Sequence, residues 1–173
     1  MPYQLSEINE KIRRDPAAFL AECDAHYQER IHAAVDKILA RMKESPIVLL
    51  SGPSGSGKTT TAMKIAEELR RRGVESRAVA MDNYFKTMNP KTAPRTPEGD
   101  IDYESPLCLD MELLDKHFEA LSRGEEIIIP KFEFARQMRN DSLGTPMKLD
   151  KNEIAIFEGI HALNDDIAGR HPE

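Results

Sequence analysis

The stretch IVLLSGPSGSGKTTT, residues 47–61, joins an apolar run, a glycine-rich turn and the start of an amphipathic helix. Gly52, Gly57, Lys58 and Thr59 meet the pattern G-x-x-x-x-G-K-[ST]. Glycines allow the turn to point successive backbone N–H groups at one anion, and the helix adds its unpaired N–H groups and positive dipole end. A Gly/Ser-rich linker is the alternative, but a linker would not follow an apolar run and open directly into a helix. The stretch therefore predicts a strand, a phosphate-binding loop and a helix.

The anion that suits this loop is the phosphate chain of ATP, bound together with Mg²⁺. Lys58 can reach the β- and γ-phosphates, and the Thr59 hydroxyl can bind the metal ion. The residues predicted to contact the nucleotide form one run that includes these two: Gly52, Ser54, Gly55, Ser56, Gly57, Lys58, Thr59 and Thr60.

Composition and charge narrow the class of protein. The length of 173 residues predicts one domain, and 40% apolar with 31% charged residues is typical of a soluble globular protein. A net charge of −6 argues against nucleic acid as the main partner. The start, MPYQLSEINEKIRR, has no apolar segment of a signal peptide, and no stretch approaches the ~20 apolar residues of a membrane span. Cys23 and Cys108 lie far apart, which predicts neither a disulfide framework nor a metal cluster and suits a cytoplasmic protein.

Residues 1–45 are predicted to form an N-terminal helical extension ahead of a core at residues 46–173. Asp15-Pro16 resembles a helix cap followed by proline at the first helical position, and the helix should end before Ser45-Pro46. We expect this helix to pack on the core or on a second subunit, with a regulatory role as the alternative. Its apolar residues recur at helical spacing: Phe19, Leu20, Cys23, Tyr27, Ile31, Val35, Ile38, Leu39 and Met42.

Two carboxylates are predicted to follow strand ends. Asp82 comes after a strand at residues 76–81, and Glu158 comes after the apolar strand at residues 153–157. In open parallel sheets, chemistry collects beyond the carboxyl ends of the strands. Asp82 is therefore predicted to be the base that accepts a proton from an acceptor hydroxyl, and Glu158 to hold Mg²⁺ directly or through water. The alternatives are a turn aspartate and an ordinary strand-end carboxylate.

The segment at residues 86–107 is long, irregular and rich in proline, which is typical of a functional or mobile loop. Its acidic residues Asp100, Asp102 and Glu104 could hold sugar hydroxyls or simply be solvated. Arg136 and Arg139 follow later in the chain, and they could contact phosphates, contact a substrate carboxylate, or lie on the surface.

The elements after this loop are predicted from spacing and turn residues. A helix is expected at residues 110–123, and a short strand at residues 126–129 is expected to end at Pro130. A strand at residues 131–134 is expected to pair with residues 145–149, with the turn between them at Asp141, Ser142 and Gly144.

Taken in order, these motifs resemble the uridine kinase/phosphoribulokinase family of P-loop kinases, and most of all its bacterial uridine kinase-like nucleoside kinases. The resemblance covers residues 46–165. The matching stretches are GPSGSGKTT at 52–60, MDNYF at 81–85, GDIDYESP at 99–106, PKFEFARQMR at 130–139 and IAIFEGIHALN at 154–164.

The resemblance implies an α/β, three-layer P-loop fold with a parallel central sheet. It also implies ATP-dependent phosphorylation of the 5′-hydroxyl of a nucleoside such as uridine, with Asp82 and Lys58 as catalytic residues and Glu158 at the end of the third core strand. Asp102 matches the position where family members hold ribose hydroxyls. The residues that it places at the acceptor are Tyr84, Phe85, Asp102, Phe132, Gln137 and Arg139.

The sequence departs from the family pattern in two ways. Phe132 and Gln137 stand where uridine-cytidine kinases carry a tyrosine and a histidine that help to read the pyrimidine. Family members also continue past the stretch that matches residues 154–164 with more strands and an arginine-bearing lid. We therefore expect a core truncated at its C-terminus, with the P-loop strand at the edge of a three-stranded sheet. A missing C-terminal half or a second copy of the chain would then be its partner.

Three functions remain open from sequence. The first is a nucleoside kinase. The second is a kinase of another sugar or metabolite, such as a phosphorylated pentose, and the third is a nucleotide-binding module without turnover of its own. A GTPase is disfavoured because the sequence contains no N-K-x-D motif for reading guanine.

Overall fold

The computed structural model describes residues 4–168, which form an α/β fold. The strands within these residues are β1 (Ile47–Ser51), β2 (Glu75–Ala80), β3 (Ile127–Glu133), β4 (Met138–Met147) and β5 (Glu153–Gly159). The α-helices are α1 (Leu5–Arg14), α2 (Pro16–Arg41), α3 (Lys58–Arg71), α4 (Met111–Ser122) and the short α5 (Asp165–Ala168). None of the described helices is both long and apolar enough to cross a lipid bilayer.

The central sheet is parallel, with the strand order β1-β5-β2. Its middle strand β5 is a continuous apolar run because helices and other elements cover both of its faces. Ala155 and Phe157 join a core cluster with α4 on one face, whereas Ile154 and Ile156 join a second cluster with α2 and α3 on the other. The expected three-layer arrangement is therefore confirmed.

Helix α3 begins directly at the end of the predicted phosphate loop and ends at Arg71. Gly73 adopts a left-handed conformation with φ +84° just beyond the helix. Its N–H donates to the Arg70 carbonyl, and the N–H of Val74 donates to the Leu69 carbonyl. These two bonds satisfy the last carbonyls of the helix, and only glycine adopts this φ without a steric cost.

The N-terminal segment contains two helices where the sequence predicts one. The predicted cap is present, because the Asp15 side chain accepts a hydrogen bond of 3.0 Å from the Ala18 N–H at the start of α2. Helix α1 precedes this cap and was not predicted. Lys11 on α1 pairs with Glu22 on α2, at 2.5 Å.

The prediction for the β3–β4 hairpin was wrong in three respects. Strand β3 does not end at Pro130 but continues to Glu133, and the chain reverses at residues 134–137 instead of residues 141–144. Residues 131–133 pair with residues 138–140 and not with residues 145–149. The register explains these errors: Ile129 pairs with Thr145 while Lys131 pairs with Asn140, so residues 141–144 of β4 form a bulge opposite Pro130. A bulge tolerates proline because no ladder hydrogen bond is needed there.

Within residues 4–168, β1 pairs with β5 alone and therefore forms one edge of the central sheet. All five of its residues are half-buried. The expected position of the P-loop strand, at the edge of a three-stranded sheet, is therefore observed within these residues.

Leu69→Ala should test the packing of α3 on the sheet. Leu69 is fully buried beneath α2, so truncation should lower the free energy of unfolding by about 2–5 kcal/mol through lost burial and a residual cavity. Urea denaturation measures the change. The matched control is Leu20→Ala on α2, where the side chain is 64% exposed and the same substitution should cost less than about 0.5 kcal/mol.

Candidate active site

The loop between β1 and α3, residues 52–57, has a backbone shaped to hold a phosphate, and we call it the cradle. Gly55 and Gly57 have φ values of +73° and +85°, which only glycine adopts readily. At Gly52 a Cβ atom would lie 2.7 Å from Ser56 Oγ and 3.1 Å from Lys58 Cγ, so these two side chains pass close to the backbone at the start of the loop. Gly57 is also the residue that caps the N-terminus of α3. The free N–H groups of this helix end therefore face the loop and favour an anion.

Lys58 and Thr59, the first two residues of α3, each contact a polar group close to the loop. Lys58 Nζ donates a hydrogen bond of 3.0 Å to the Pro53 carbonyl, which folds the amine over the loop. Thr59 Oγ1 lies 3.2 and 3.1 Å from the two carboxylate oxygens of Glu158. A hydroxyl beside a carboxylate suits Mg²⁺, which takes few protein ligands and completes its shell with water and phosphate oxygens.

A cavity of about 320 Å³ opens beside the cradle at the carboxyl end of the sheet. It brings together residues from four separate segments of the chain. The lining residues are Ser54, Lys58, Thr59, Ala80, Asp82, Phe85, Tyr103, Glu104, Glu158, Gly159 and Ile160.

The parallel register explains why Asp82 and Glu158 share this cavity. Ala80 of β2 lies opposite Glu158 of β5, so the turn after β2 begins beside the last residues of β5. Met81 also packs against Gly159, where a Cβ atom would lie only 2.8 Å from Met81 Cβ. The missing side chain at Gly159 lets the one-turn 3₁₀ helix at residues 81–84 sit close to β5.

The environment of Asp82 makes its carboxylate a better proton acceptor. The side chain is open to the cavity but has protein on its other sides, and this partial burial raises its pKa above the ordinary aspartate value. Glu158 also raises the pKa, whereas Lys58 and His161 lower it and only partly offset the rise. A base whose pKa approaches the working pH drives proton transfer more effectively.

A second, smaller cavity of about 190 Å³ shares Phe85 and Tyr103 with the first. Its walls are mostly aromatic: Phe132 packs edge-on against Phe85 and against Phe134, with ring centroids 5.5 and 5.1 Å apart. The lining residues are Phe85, Met88, Tyr103, Cys108, Phe132, Phe134 and Gln137.

Gln137 contributes an amide to this aromatic cavity. Its Oε1 accepts a hydrogen bond of 3.1 Å from the Tyr103 hydroxyl, which joins the long loop to the hairpin. The backbone of Gln137 has φ +50°, which is uncommon for residues other than glycine and asparagine. This strained position lies at the hairpin reversal, and it turns Gln137 toward the cavity.

Three predicted contact residues lie elsewhere. Tyr84 is fully buried and lines neither cavity, and its hydroxyl bonds to His117 Nδ1 at 2.9 Å. Burial raises the pKa of Tyr84 well above its usual range. Thr60 lines a different cavity, between α3 and β2. Asp102 lines neither site cavity, because its carboxylate accepts the Glu104 N–H in a local turn.

Arg139 is held by protein carboxylates. Its guanidinium pairs with Asp110 at 2.6 Å and with Asp141 at 2.8 Å. Burial opposes ionisation of Asp110, but hydrogen bonds from Arg139 and from the Leu113 N–H outweigh it and hold the pKa of Asp110 below its usual value. Arg139 therefore joins the cap of α4 to the hairpin, and contact with a substrate would require it to leave these partners.

Sequence reasoning missed several residues of the two cavities. Tyr103 lies within the quoted stretch at 99–106, so the resemblance pointed to this loop but not to this side chain. Its neighbour Glu104 was named as one of the acidic residues that could hold sugar hydroxyls, and it does line the first cavity. Asn83 was also missed, and its Oδ1 accepts the Phe132 N–H at 3.3 Å, which attaches β3 to the turn that carries Asp82. No local pattern indicates a contact between segments 49 residues apart.

Comparison with solved structures shows the fold. A possible uridine kinase from Bacillus stearothermophilus aligns with a TM-score of 0.59 at 21% identity, covering 80% of this chain and 73% of that one. A putative fructose transport system kinase from Silicibacter sp. TM1040 aligns with a TM-score of 0.56 at 24% identity, covering 75% and 62%. A D-glycerate 3-kinase from Cryptococcus neoformans aligns with a TM-score of 0.55 at 15% identity, covering 76% and 52%.

Comparison of sequences finds curated relatives that are named uridine kinases. A uridine kinase of Halobacterium salinarum is 28% identical over 117 residues, which is 68% of this chain and 48% of the relative. A uridine kinase of Schizosaccharomyces pombe is 33% identical over 68% of this chain and 25% of its own length, and one of Staphylococcus aureus (strain JH9) is 29% identical over 73% and 58%. The matches thus span about half the length of two of these relatives and a quarter of the third.

The matched region contains the cradle, Asp82, both cavities and the carboxyl end of β5. A sequence model described as the Phosphoribulokinase / Uridine kinase family matches residues 47–170, which leaves α1 and α2 outside it. The chain belongs to the phosphoribulokinase/uridine kinase family of P-loop kinases.

Proposed function

We propose that this chain binds Mg²⁺ and ATP and transfers the γ-phosphoryl group to a hydroxyl of a small acceptor, with a nucleoside such as uridine as the favoured acceptor. The observation that carries the proposal is a juxtaposition: Lys58, Thr59, Asp82 and Glu158 line one cavity, and an aromatic cavity adjoins it. We also propose that residues 46–173 belong to the catalytic core and that residues 1–45 are a helical extension.

The cradle and Lys58 would receive the phosphates. The N–H groups of the loop and of the α3 N-terminus surround the anion, and Lys58 Nζ would exchange the Pro53 carbonyl for a phosphate oxygen. Thr59 and Glu158 are the residues that would hold Mg²⁺, which when bound offsets the charge on the phosphate oxygens. The residues at the cradle therefore act by position and charge rather than by covalent chemistry.

Asp82 would prepare the acceptor for attack. Its carboxylate accepts the proton of the acceptor hydroxyl as the hydroxyl oxygen bonds to the γ-phosphorus and the bond to the β-phosphate oxygen breaks. Phe85 and Tyr103 line both cavities, so an acceptor seated among the aromatic rings would present its hydroxyl toward Asp82.

The aromatic cavity supports a flat ring as part of the acceptor. Phe85, Phe132 and Phe134 offer ring surfaces for stacking or edge contacts, and the Gln137 amide offers a polar group to the edge of a base. The relatives named above as uridine kinases support a pyrimidine nucleoside. A phosphorylated sugar fits less well, because Arg139 is already paired with Asp110 and Asp141.

An acceptor panel is the direct test of this function. Purified chain with Mg²⁺ and ATP should phosphorylate uridine faster than D-glycerate, fructose or ribulose 5-phosphate, measured as ADP release with product identification. Preference for a phosphorylated sugar would replace the nucleoside proposal with its alternative. ATP binding without turnover on any acceptor would indicate a nucleotide-binding module.

Asp82→Asn should abolish transfer and leave ATP affinity nearly unchanged, because the amide keeps the shape of the side chain and cannot accept the proton. Loss of a general base typically costs about 10²–10⁴-fold in kcat. Steady-state kinetics and calorimetric titration with Mg·ATP separate the two effects. Asp24→Asn, the same change at an exposed position of α2 far along the chain from the proposed site, is the control and should retain activity. Normal turnover by the Asp82 variant would remove this residue from the base role.

The pH dependence of kcat/KM for ATP should show the raised pKa of Asp82. Only the ionised carboxylate accepts a proton, so activity should fall as pH decreases through this pKa. Partial burial and Glu158 raise the pKa, so the acid limb should have its midpoint above the ordinary aspartate value of about 3.9. A limb at or below the ordinary value would contradict this assignment.

A further inference from the structure

Helix α2 contacts the phosphate-binding helix at the turn that follows the cradle. The Tyr27 hydroxyl on α2 lies 3.0 Å from Thr61 Oγ1, in a partly buried contact. Thr61 is the fourth residue of α3, and its backbone N–H donates to the Gly57 carbonyl at 2.8 Å. Gly57 is the last residue of the cradle. Tyr27 therefore contacts Thr61, the residue whose backbone hydrogen bond joins the cradle to α3.

The remaining contacts hold α2 firmly along α3. Ile31 and Val35 are its buried residues, and they share one apolar cluster with Ile65 and Leu69 of α3. Beyond this cluster, Arg72 at the end of α3 pairs with Asp36 of α2 and with Glu68 of its own helix. These contacts lie further along α3 than Thr61, and they keep the Tyr27 ring in place above the first turn of α3.

We propose that Tyr27 is a positioning residue for the phosphate cradle. A threonine in a helix can bond its hydroxyl back to the carbonyl four residues earlier, and this bond tends to bend the helix. For Thr61 that carbonyl belongs to Gly57, and a bend there would move Lys58 and Thr59. In the proposed arrangement the Thr61 hydroxyl donates its proton to the Tyr27 oxygen, so it does not bond back to Gly57 and the first turn stays straight. The inference rests on the proposed nucleotide site but on no particular acceptor, and it assigns a role to a helix outside the family match at residues 47–170.

The test removes the hydroxyl and keeps the ring. Tyr27→Phe in the full chain should raise the dissociation constant for Mg·ATP, measured by calorimetry, about threefold to tenfold, as expected for one lost hydrogen bond. The KM for the acceptor should stay unchanged, because the acceptor cavity lies on other segments. Adding Thr61→Val to Tyr27→Phe removes the hydroxyl that would bond back to Gly57, so the double variant should bind Mg·ATP nearly as well as the unaltered chain.

Two controls separate positioning from stability. Gln28→Ala changes an exposed neighbour on α2 and should leave the dissociation constant unchanged. Val35→Ala weakens the buried contact of α2 and should lower Tm while affecting the dissociation constant less than Tyr27→Phe does.

The proposal is overturned if Tyr27→Phe binds Mg·ATP as tightly as the unaltered chain. It is also overturned if Val35→Ala weakens binding equally, or if the added Thr61→Val brings no recovery. An unaltered chain that does not bind Mg·ATP would overturn both this inference and the proposed function. An unaltered chain that binds Mg·ATP but phosphorylates no acceptor would overturn the proposed function alone, since the binding measurements would still decide the role of Tyr27.

Discussion

The site depends on the parallel pairing of β5 with both of its neighbours. Glu158 lies opposite Leu50 of β1 on one side and opposite Ala80 of β2 on the other. The cradle begins directly after Ser51, the last residue of β1, and Asp82 lies two residues beyond the end of β2. The register therefore brings the cradle, the proposed base and the proposed metal ligand to one edge. A slip of one residue would turn the β5 side chains to the opposite face and separate these groups.

The charged side chains at this edge favour a ligand that carries a cation together with its phosphates. Asp82, Glu104 and Glu158 face the cavity with Lys58 as the one cation among its lining side chains. A bare polyphosphate would meet net negative charge there, whereas a polyphosphate carrying a divalent cation would bring the missing positive charge with it. Partial burial is the main cause of the raised pKa of Asp82, and the nearby carboxylate of Glu158 raises it further.

The predictions from sequence are reliable where local chemistry and tertiary packing agree. The cradle glycines and the apolar strand β5 each have a requirement that a few neighbouring residues reveal. The hairpin shows the opposite case. Pro130 and the polar residues at 141–144 look like a strand end and a turn, yet strand pairing accommodates both as a bulge. The aromatic cavity was only partly predictable, because it forms where three distant segments meet.

The position of β1 has a mechanical consequence for the cradle. Among the described residues, this strand has a hydrogen-bonded neighbour on one flank only, so alternate amides on its other flank lack a partner strand. Amide hydrogens there should exchange with solvent more readily than those of the central strand β5. The loop that would hold the phosphates thus begins on an edge strand and leads at its far end into α3, which packs against α2.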